Sequence, residues 1–340
     1  MRAVVYHEFG GDLTLAEVPD PVPSRSGAVL RVEATGLCRS DWHGWQGHDP
    51  DIRVFPHVPG HELAGVVEAT GPDVAGWRAG DRVTVPFVCA CGTCASCARG
   101  DQQVCERQTQ PGFTHWGSFA EYVAIEHADV NLVRIGGATT PVAAAGLGCR
   151  FATAFRAVTA VGAVTPGEWV AVHGCGGVGL SAVMIASAAG ARVVAVDVSP
   201  GALALAVRFG AAATVDARDG DAAERVRELT GGGAGLSLDA LGSAATAAAS
   251  ILGLRRRGRH VQVGLLPGGA ALPMDRVIGH ELAVLGSHGM AAHDYPRMLT
   301  MIDAGTLRPD RLVTRTIGLP EAGEALVSLG ASPGVTVIVP

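Results

Sequence analysis

The stretch that most restricts how this chain can fold lies between Val170 and Ala189. A short strand candidate, Val170-Ala171-Val172-His173, runs into Gly174-Cys175-Gly176-Gly177-Val178-Gly179 and then into an apolar, helix-forming segment, Leu180 to Ala189. Strand, G-x-G-x-x-G, helix is the order in which a tight glycine turn sets backbone N–H groups and a helix N-terminus against a pyrophosphate. A second strand candidate, Val193 to Asp197, ends in a carboxylate that can accept hydrogen bonds from an adenosine ribose. Gly174, Gly176, Gly177, Val178, Gly179 and Asp197 are therefore the expected dinucleotide-binding residues, and Cys175 reads as a small residue within the turn. A 2′-phosphate beside Asp197 would meet like charge, about 4 kcal/mol at ~4 Å with an effective dielectric near 20. Val198, Ser199, Pro200, Gly201 and Ala202 supply no arginine to offset it, so NAD is expected rather than NADP.

The region from Trp169 to Ala191 runs 23 residues without Asp, Glu or Arg, long enough for a membrane span. Its five glycines and His173 favour the strand-turn-helix reading instead. Further apolar strand candidates follow at Ala213–Val215, Leu236–Ala240, Arg259–Gly264 and Leu282–Gly286, separated by Ala-rich helical stretches. Ser199-Pro200 signals a helix start and Gly210 its stop. Strand-helix alternation over about six strands predicts one doubly wound parallel sheet.

Before Phe151 the texture differs: short alternating runs broken by Pro19, Pro21, Pro23, Pro56 and Pro59 predict an antiparallel, loop-rich β domain. After Ser287 loop and strand texture returns, with a short helix from Pro296 to Ala304 and a strand at Val335–Val339. The fold class expected is α/β, with residues 1–150 and 286–340 forming one domain and residues 151–285 the dinucleotide domain. A length of 340 residues suits two cores.

Five of the eight cysteines fall between Cys89 and Cys105, and Cys91, Cys94, Cys97 and Cys105 read C-x2-C-x2-C-x7-C. That spacing wraps four thiolates around a tetrahedral zinc, a closed site that holds a lobe together. The alternative is disulfides, disfavoured because no secretory signal is read at Met1 to Gly10 and a cytoplasmic chain is kept reduced. Cys89 is an extra thiol that could compete with Cys105. A second set is scattered: Cys38 in Gly36-Leu37-Cys38-Arg39-Ser40-Asp41-Trp42-His43, His61 and Glu62 in Gly60-His61-Glu62, and Cys149 in Gly148-Cys149-Arg150. Each alone is an ordinary buried residue; two thiolates and an imidazole together would leave the open fourth position of a catalytic zinc.

A net charge of −6 offers no broad basic face for nucleic acid or anionic lipid. The cluster Arg255, Arg256, Arg257 and Arg259 reads as a solvated helix end. Every basic residue is arginine, so Schiff-base chemistry has no lysine to use.

Cys38, Gly60-His61-Glu62, the four-cysteine lobe, Cys149 and the glycine loop with Asp197 together resemble the zinc-containing alcohol dehydrogenases of the medium-chain dehydrogenase/reductase family, and the likeness covers essentially the whole chain. The resemblance implies a GroES-like β-rich catalytic domain with a Rossmann domain inserted, and two zinc ions per chain. It implies a catalytic zinc on Cys38, His61 and Cys149, with Asp41 orienting His61 and Glu62 a carboxylate able to ligate transiently. The structural zinc would sit on Cys91, Cys94, Cys97 and Cys105. Hydride would pass from an alcohol to NAD while Ser40 and His43 relay the proton to solvent. Arg39 would contact the pyrophosphate, Val263 to Leu265 would run past the nicotinamide, and Phe87 would wall the substrate pocket, with Trp42 and Trp116 either narrowing it or packing at the domain interface. Ala202 and Thr336 depart from the family pattern, standing where relatives often carry a lysine and an arginine toward the cofactor. The short interval from Cys105 to Cys149 resembles that of bacterial and yeast tetramers, so a cytoplasmic homotetramer is expected, with a dimer as the alternative. Two other readings remain at this point: a zinc-free quinone or enoyl reductase of the same fold, and a non-catalytic, zinc-stabilised nucleotide sensor.

Overall fold

The computed structural model describes residues 1–137, 139–266, 268–330 and 333–340. The chain forms two compact units, Met1–Ala152 with Gly289–Pro340, and Thr153–His288.

In the first unit the strand Ala28–Leu37 is the axis of a seven-stranded sheet, running antiparallel to Glu62–Thr70, Tyr122–Ile125 and Val335–Val339. Arg82–Thr84 and Val133–Arg134 extend one side of the sheet, and Val313–Gly318 pairs in parallel with Val335–Val339 at the other. The axial strand is buried at almost every position because apolar clusters cover both its faces. Leu30, Val32, Leu63, Val67, Val83 and Ile125 fill one cluster; Tyr6, Leu37, Trp45, Phe119 and Ile338 fill another. Each such aliphatic or aromatic side chain contributes about 1.5–3 kcal/mol by leaving water. The sheet thereby fixes the two segments that leave it, Cys38 at the end of one strand and Glu62 at the start of the next.

The second unit is a six-stranded parallel sheet in the spatial order Ala211–Asp216, Arg192–Asp197, Trp169–His173, Ala234–Asp239, Leu254–Gln262, Ala283–Gly286. The order reverses between Trp169–His173 and Ala234–Asp239, and in such sheets the crevice at the carboxyl ends of that pair is where a dinucleotide binds. Val193 to Val196 are buried without alternation, as in a parallel strand covered on both faces. The next helix, Pro200–Arg208, begins where Ser199 Oγ accepts the Ala202 N–H at 3.3 Å, with Pro200 in its first turn. The apolar run from Trp169 resolves into a strand and the helix Gly177–Ala188; among the described residues no helix is long and apolar enough to cross a membrane.

One expectation is corrected. Arg255, Arg256, Arg257 and Arg259 lie in the strand Leu254–Gln262, not at a helix end. The register to the neighbouring strand shifts between the pairs Ala234–Leu254 and Leu236–Arg259, and Arg255, Arg256 and Arg257, which fall within that bulge, are exposed. Arg259 donates to the Glu168 carboxylate at 2.7 Å and to the Gly162 carbonyl at 2.8 Å, so the charge is paired rather than free.

Candidate active site and metal centres

The helix Arg39–Trp45 follows directly on the axial strand, and its first turn carries Ser40, Asp41 and, further on, His43. Asp41 is buried and reaches both segments that bear candidate ligands. Its Oδ2 accepts the Cys38 N–H at 3.0 Å, while its Oδ1 accepts the Gly60 N–H at 3.1 Å and lies 2.7 Å from His61 Nδ1. Gly60 has φ of +105°, and a Cβ there would collide with the Phe119 backbone, so only glycine permits this turn into His61.

Cys38, His61, Glu62 and Cys149 each bring a ligand atom to within 4.8 Å of the others. Cys149 lies in a wide helical turn, Leu147–Phe151, where the Phe151 N–H donates to the Gly146 carbonyl five residues back at 3.2 Å. Tyr295, fully buried, donates its hydroxyl to the Leu147 carbonyl at 3.1 Å and pins that turn. Glu62 and Arg150 form a buried ion pair. Arg150 Nε donates to both Glu62 oxygens at 2.9 and 2.8 Å, its Nη2 also reaches Oε2, and its Nη1 donates to the Leu37 carbonyl at 3.0 Å. A Cβ at Gly36 would strike this pair.

The electrostatics of the cluster suit a cation. Cys149 and its S–H, with His61 and Arg150, hold the Cys38 thiol well below its ordinary pKa despite burial. Cys149 is pushed well above its own by Cys38 and by burial. Burial would lower the pKa of His61, but the charge and hydrogen bond of Asp41 and the charge of Cys38 raise it well above the ordinary value. His61 Nε2 is buried and has no hydrogen-bonding partner. A buried orphan nitrogen whose other ring nitrogen is fixed by a carboxylate, beside two sulfurs, is the donor set of a zinc ion with a fourth position open.

The second cluster is Cys91, Cys94, Cys97 and Cys105, all buried with ligand atoms within 4.8 Å of one another. Cys94 Sγ is 3.4 Å from Cys97 Sγ and 3.7 Å from Cys105 Sγ, near the ~3.8 Å edge of a tetrahedron with metal–sulfur distances of about 2.3 Å. None of the eight cysteines forms a disulfide. Backbone N–H groups of Cys91, Thr93, Cys97 and Arg107 point at the sulfurs, at 3.3 to 3.5 Å. The Thr93 N–H is the main reason the Cys91 thiol is pulled down to about 5. Cys89 does not compete for this site. Its thiol donates to the Pro86 carbonyl at 3.5 Å within the apolar cluster around Leu63, and burial pushes it up to about 12.

Other expected site residues fall as follows. Phe87 is buried, its ring centroid 6.3 Å from that of His61, and Phe113 is nearer at 5.4 Å. Trp42 and Trp116 both pack against the cluster around Tyr6. Trp116, with Arg53, His57, Phe113, His115 and Tyr122, lines a pocket of about 700 Å³ that none of Cys38, His61 or Cys149 reaches. Ser40 Oγ lies 3.9 Å from Cys38 Sγ, and the Arg39 guanidinium lies over the Trp42 ring at 5.4 Å.

In the second unit the glycine loop joins its strand to the helix at Gly177, and Gly179 has its Cα so close to the Gly174 carbonyl that a Cβ could not fit. Val178 is half-buried in the first helical turn. Asp197 closes the loop from the next strand: Oδ2 accepts the Cys175 N–H at 2.6 Å and Oδ1 the Ser199 N–H at 2.8 Å. The Val263 and Gly264 N–H groups donate to the Asp239 carbonyl at 3.0 and 2.9 Å, and Leu265 is exposed. Sequence reasoning assigned no role to Arg150, Tyr295 or Asp239; Arg150 had one available signal, its place directly after Cys149.

Comparison with known proteins agrees with this geometry. A family model for the alcohol dehydrogenase GroES-like domain matches residues 24–136, and one for zinc-binding dehydrogenases matches residues 177–304. The chain is 38% identical to an alcohol dehydrogenase of Rhizobium meliloti over 291 residues, 84% of each protein. It is 33% identical to an NAD-dependent alcohol dehydrogenase of Sulfurisphaera tokodaii, over 97% of this chain and 96% of that one. The solved alcohol dehydrogenase of Thermus sp. ATN1 superposes with a TM-score of 0.91 at 32% identity, covering 100% of this chain and 99% of that one. With both domain families matched in sequence order and two clusters of residues able to hold a metal ion, the chain belongs to the zinc-containing alcohol dehydrogenases of the medium-chain dehydrogenase/reductase family.

Proposed function

We propose that this chain is an NAD-dependent, zinc-dependent alcohol dehydrogenase that interconverts a primary or secondary alcohol and its aldehyde or ketone, with the unit Met1–Ala152 plus Gly289–Pro340 as the catalytic domain and Thr153–His288 as the NAD-binding domain. The observation that carries the reading is the buried set Cys38, His61 and Cys149, with His61 Nε2 unpartnered and Nδ1 held by Asp41. These three residues would hold the catalytic zinc, and Cys91, Cys94, Cys97 and Cys105 a structural one. When bound, the metal supplies Lewis acidity that favours the ionised alcohol, and NAD accepts the hydride.

The chain's own residues do the rest. Asp41 keeps His61 in the tautomer whose Nε2 carries a lone pair. Arg150 neutralises Glu62, leaving a carboxylate beside the ligands without an unpaired buried charge. Ser40 takes the proton of the substrate hydroxyl and His43 passes it toward solvent. Gly174, Gly176, Gly177, Val178 and Gly179 bind the pyrophosphate with Arg39, Asp197 receives the adenosine ribose, Val263 and Leu265 flank the nicotinamide, and Phe87 with Trp42 shapes the pocket. A zinc-free reductase has no use for Cys38, His61 and Cys149, and a nucleotide sensor has none for Ser40 and His43.

The chain is further inferred to act in the cytoplasm as a homotetramer. The strand Ala283–Gly286 ends its sheet with Val284 exposed, and Ile278 in the helix Met274–Gly279 just before it is 74% exposed, which supports self-association. NADH formation is measured with primary, secondary and polyhydric alcohols, with NAD and with NADP, before and after chelation. Chelator-sensitive turnover with NAD, two zinc ions per chain, and one zinc with no turnover in Cys38→Ser are expected. Retained turnover in that variant would overturn the assigned metal site.

A further inference from the structure

The structure pairs His43 with a second imidazole. His43 Nδ1 lies 2.9 Å from His48 Nδ1, and the ring centroids are 5.2 Å apart. The approach is fixed by the backbone, since the His48 N–H donates to the His43 carbonyl at 3.0 Å. Trp42 meets both rings edge to face, at 5.1 and 5.9 Å, and the Arg39 guanidinium covers Trp42. Two Nδ1 atoms at that distance share one proton: one ring donates, and the other accepts and carries its own proton on Nε2. His43 is half-buried, whereas His48 is exposed.

Resting on the relay reading of His43, we propose that His48 is the surface end of the proton path in alcohol oxidation. A proton arriving on His43 Nε2 makes that ring an imidazolium. The Nδ1 proton then shifts to His48 Nδ1, and His48 gives up its Nε2 proton to water or a buffer base. One proton enters the pair and one leaves, and no electrons move. The charged groups around His43 suit a ring that passes its proton on: burial, then His48, then Arg39 lower its pKa, against the opposing charge of Cys38. Because His48 acts only through His43, it is a positioning and proton-passing residue that touches neither substrate nor cofactor.

The test follows transient NADH formation and, with an indicator dye, proton release in the zinc-loaded enzyme in dilute buffer, for His43→Gln, His48→Gln and wild type. Gln can hold a hydrogen bond but cannot carry the proton. The expected result for His48→Gln is proton release slowed about three- to tenfold, unchanged NADH affinity, and recovery on adding imidazole buffer, a rescue that a merely structural role would not show. If His43→Gln slows release and His48→Gln does not, the inference about His48 is overturned while the relay stands. If neither variant changes the rate, the relay assigned to Ser40 and His43 falls, and the inference with it.

Discussion

Arg150→Met tests how the candidate metal site is held. Glu62 has a fully buried side chain and that of Arg150 is 9% exposed. The carboxylate receives the Arg150 Nε at 2.9 and 2.8 Å, the Arg150 backbone N–H at 2.8 Å and the Nη2 group. Methionine keeps the length of the aliphatic stem but removes the guanidinium and its bond to the Leu37 carbonyl, leaving a buried carboxylate with one backbone donor. Removing one partner of a buried pair costs about 3–5 kcal/mol. For a unit of this size that is a fall in Tm of about 6–20 °C. Adding Glu62→Gln takes away the unpaired charge, so the double variant should regain about 1–3 kcal/mol over Arg150→Met alone. Urea unfolding of the zinc-saturated protein, followed by tryptophan fluorescence, measures both. A single variant within 1 kcal/mol of wild type, or a double variant no more stable than the single one, refutes the claim that this pair is held by charge in a dry site.

Asp41→Asn offers an NH2 group where at least one backbone N–H or the His61 ring now donates; zinc affinity at the Cys38 site should drop about 10–100-fold, read by competition with a chelator, and an unchanged affinity argues against Asp41 as the residue that orients His61. Asp197→Asn keeps the acceptor for the Cys175 N–H but removes the charge, so the preference for NAD over NADP in kcat/KM should shrink about a hundred- to a thousandfold; a constant ratio would place the discrimination elsewhere. His173 is buried with Nε2 unpartnered, and burial lowers its pKa to about 4 from an ordinary 6.5. A depressed value means the neutral ring's stability is complete above pH 6.5 and is lost as pH falls toward 4, about 3 kcal/mol in all. His173→Leu should lose correspondingly less stability than wild type across that window, and equal acid sensitivity counts against the assignment.

The dinucleotide unit was legible because its signals are local. Apolar runs mark a strand, glycines a pyrophosphate turn, and a capping residue such as Ser199 ahead of Pro200 a helix start, all within a few residues of one another; hence the strands from Trp169 to Gly286 and the cap at Ser199 were readable from the letters. The four-cysteine lobe was legible for the same reason, since its ligands fall within 15 residues. The arginine cluster was misread because its placement depends on a register shift against a neighbouring strand and on Glu168, which is distant in sequence. Cys89 was left ambiguous because spacing alone cannot say which thiol the fold turns into the apolar cluster.

The sequence by itself therefore determined the fold class, the glycine loop and the four-cysteine lobe, because short-range periodicity and spacing encode them, whereas the scattered second set was expected only from the family resemblance. The tertiary structure brings Cys38, His61, Glu62 and Cys149 together, and it alone decided that Asp41 also ties the Cys38 and Gly60 backbones and that Arg150 and Tyr295 hold the turn behind them. The bonds of Asp41 to Gly60, Arg150 to Glu62 and Tyr295 to Leu147 join residues 19 to 148 positions apart, and such pairings are set by how the sheet brings strand ends together rather than by any local preference of the chain.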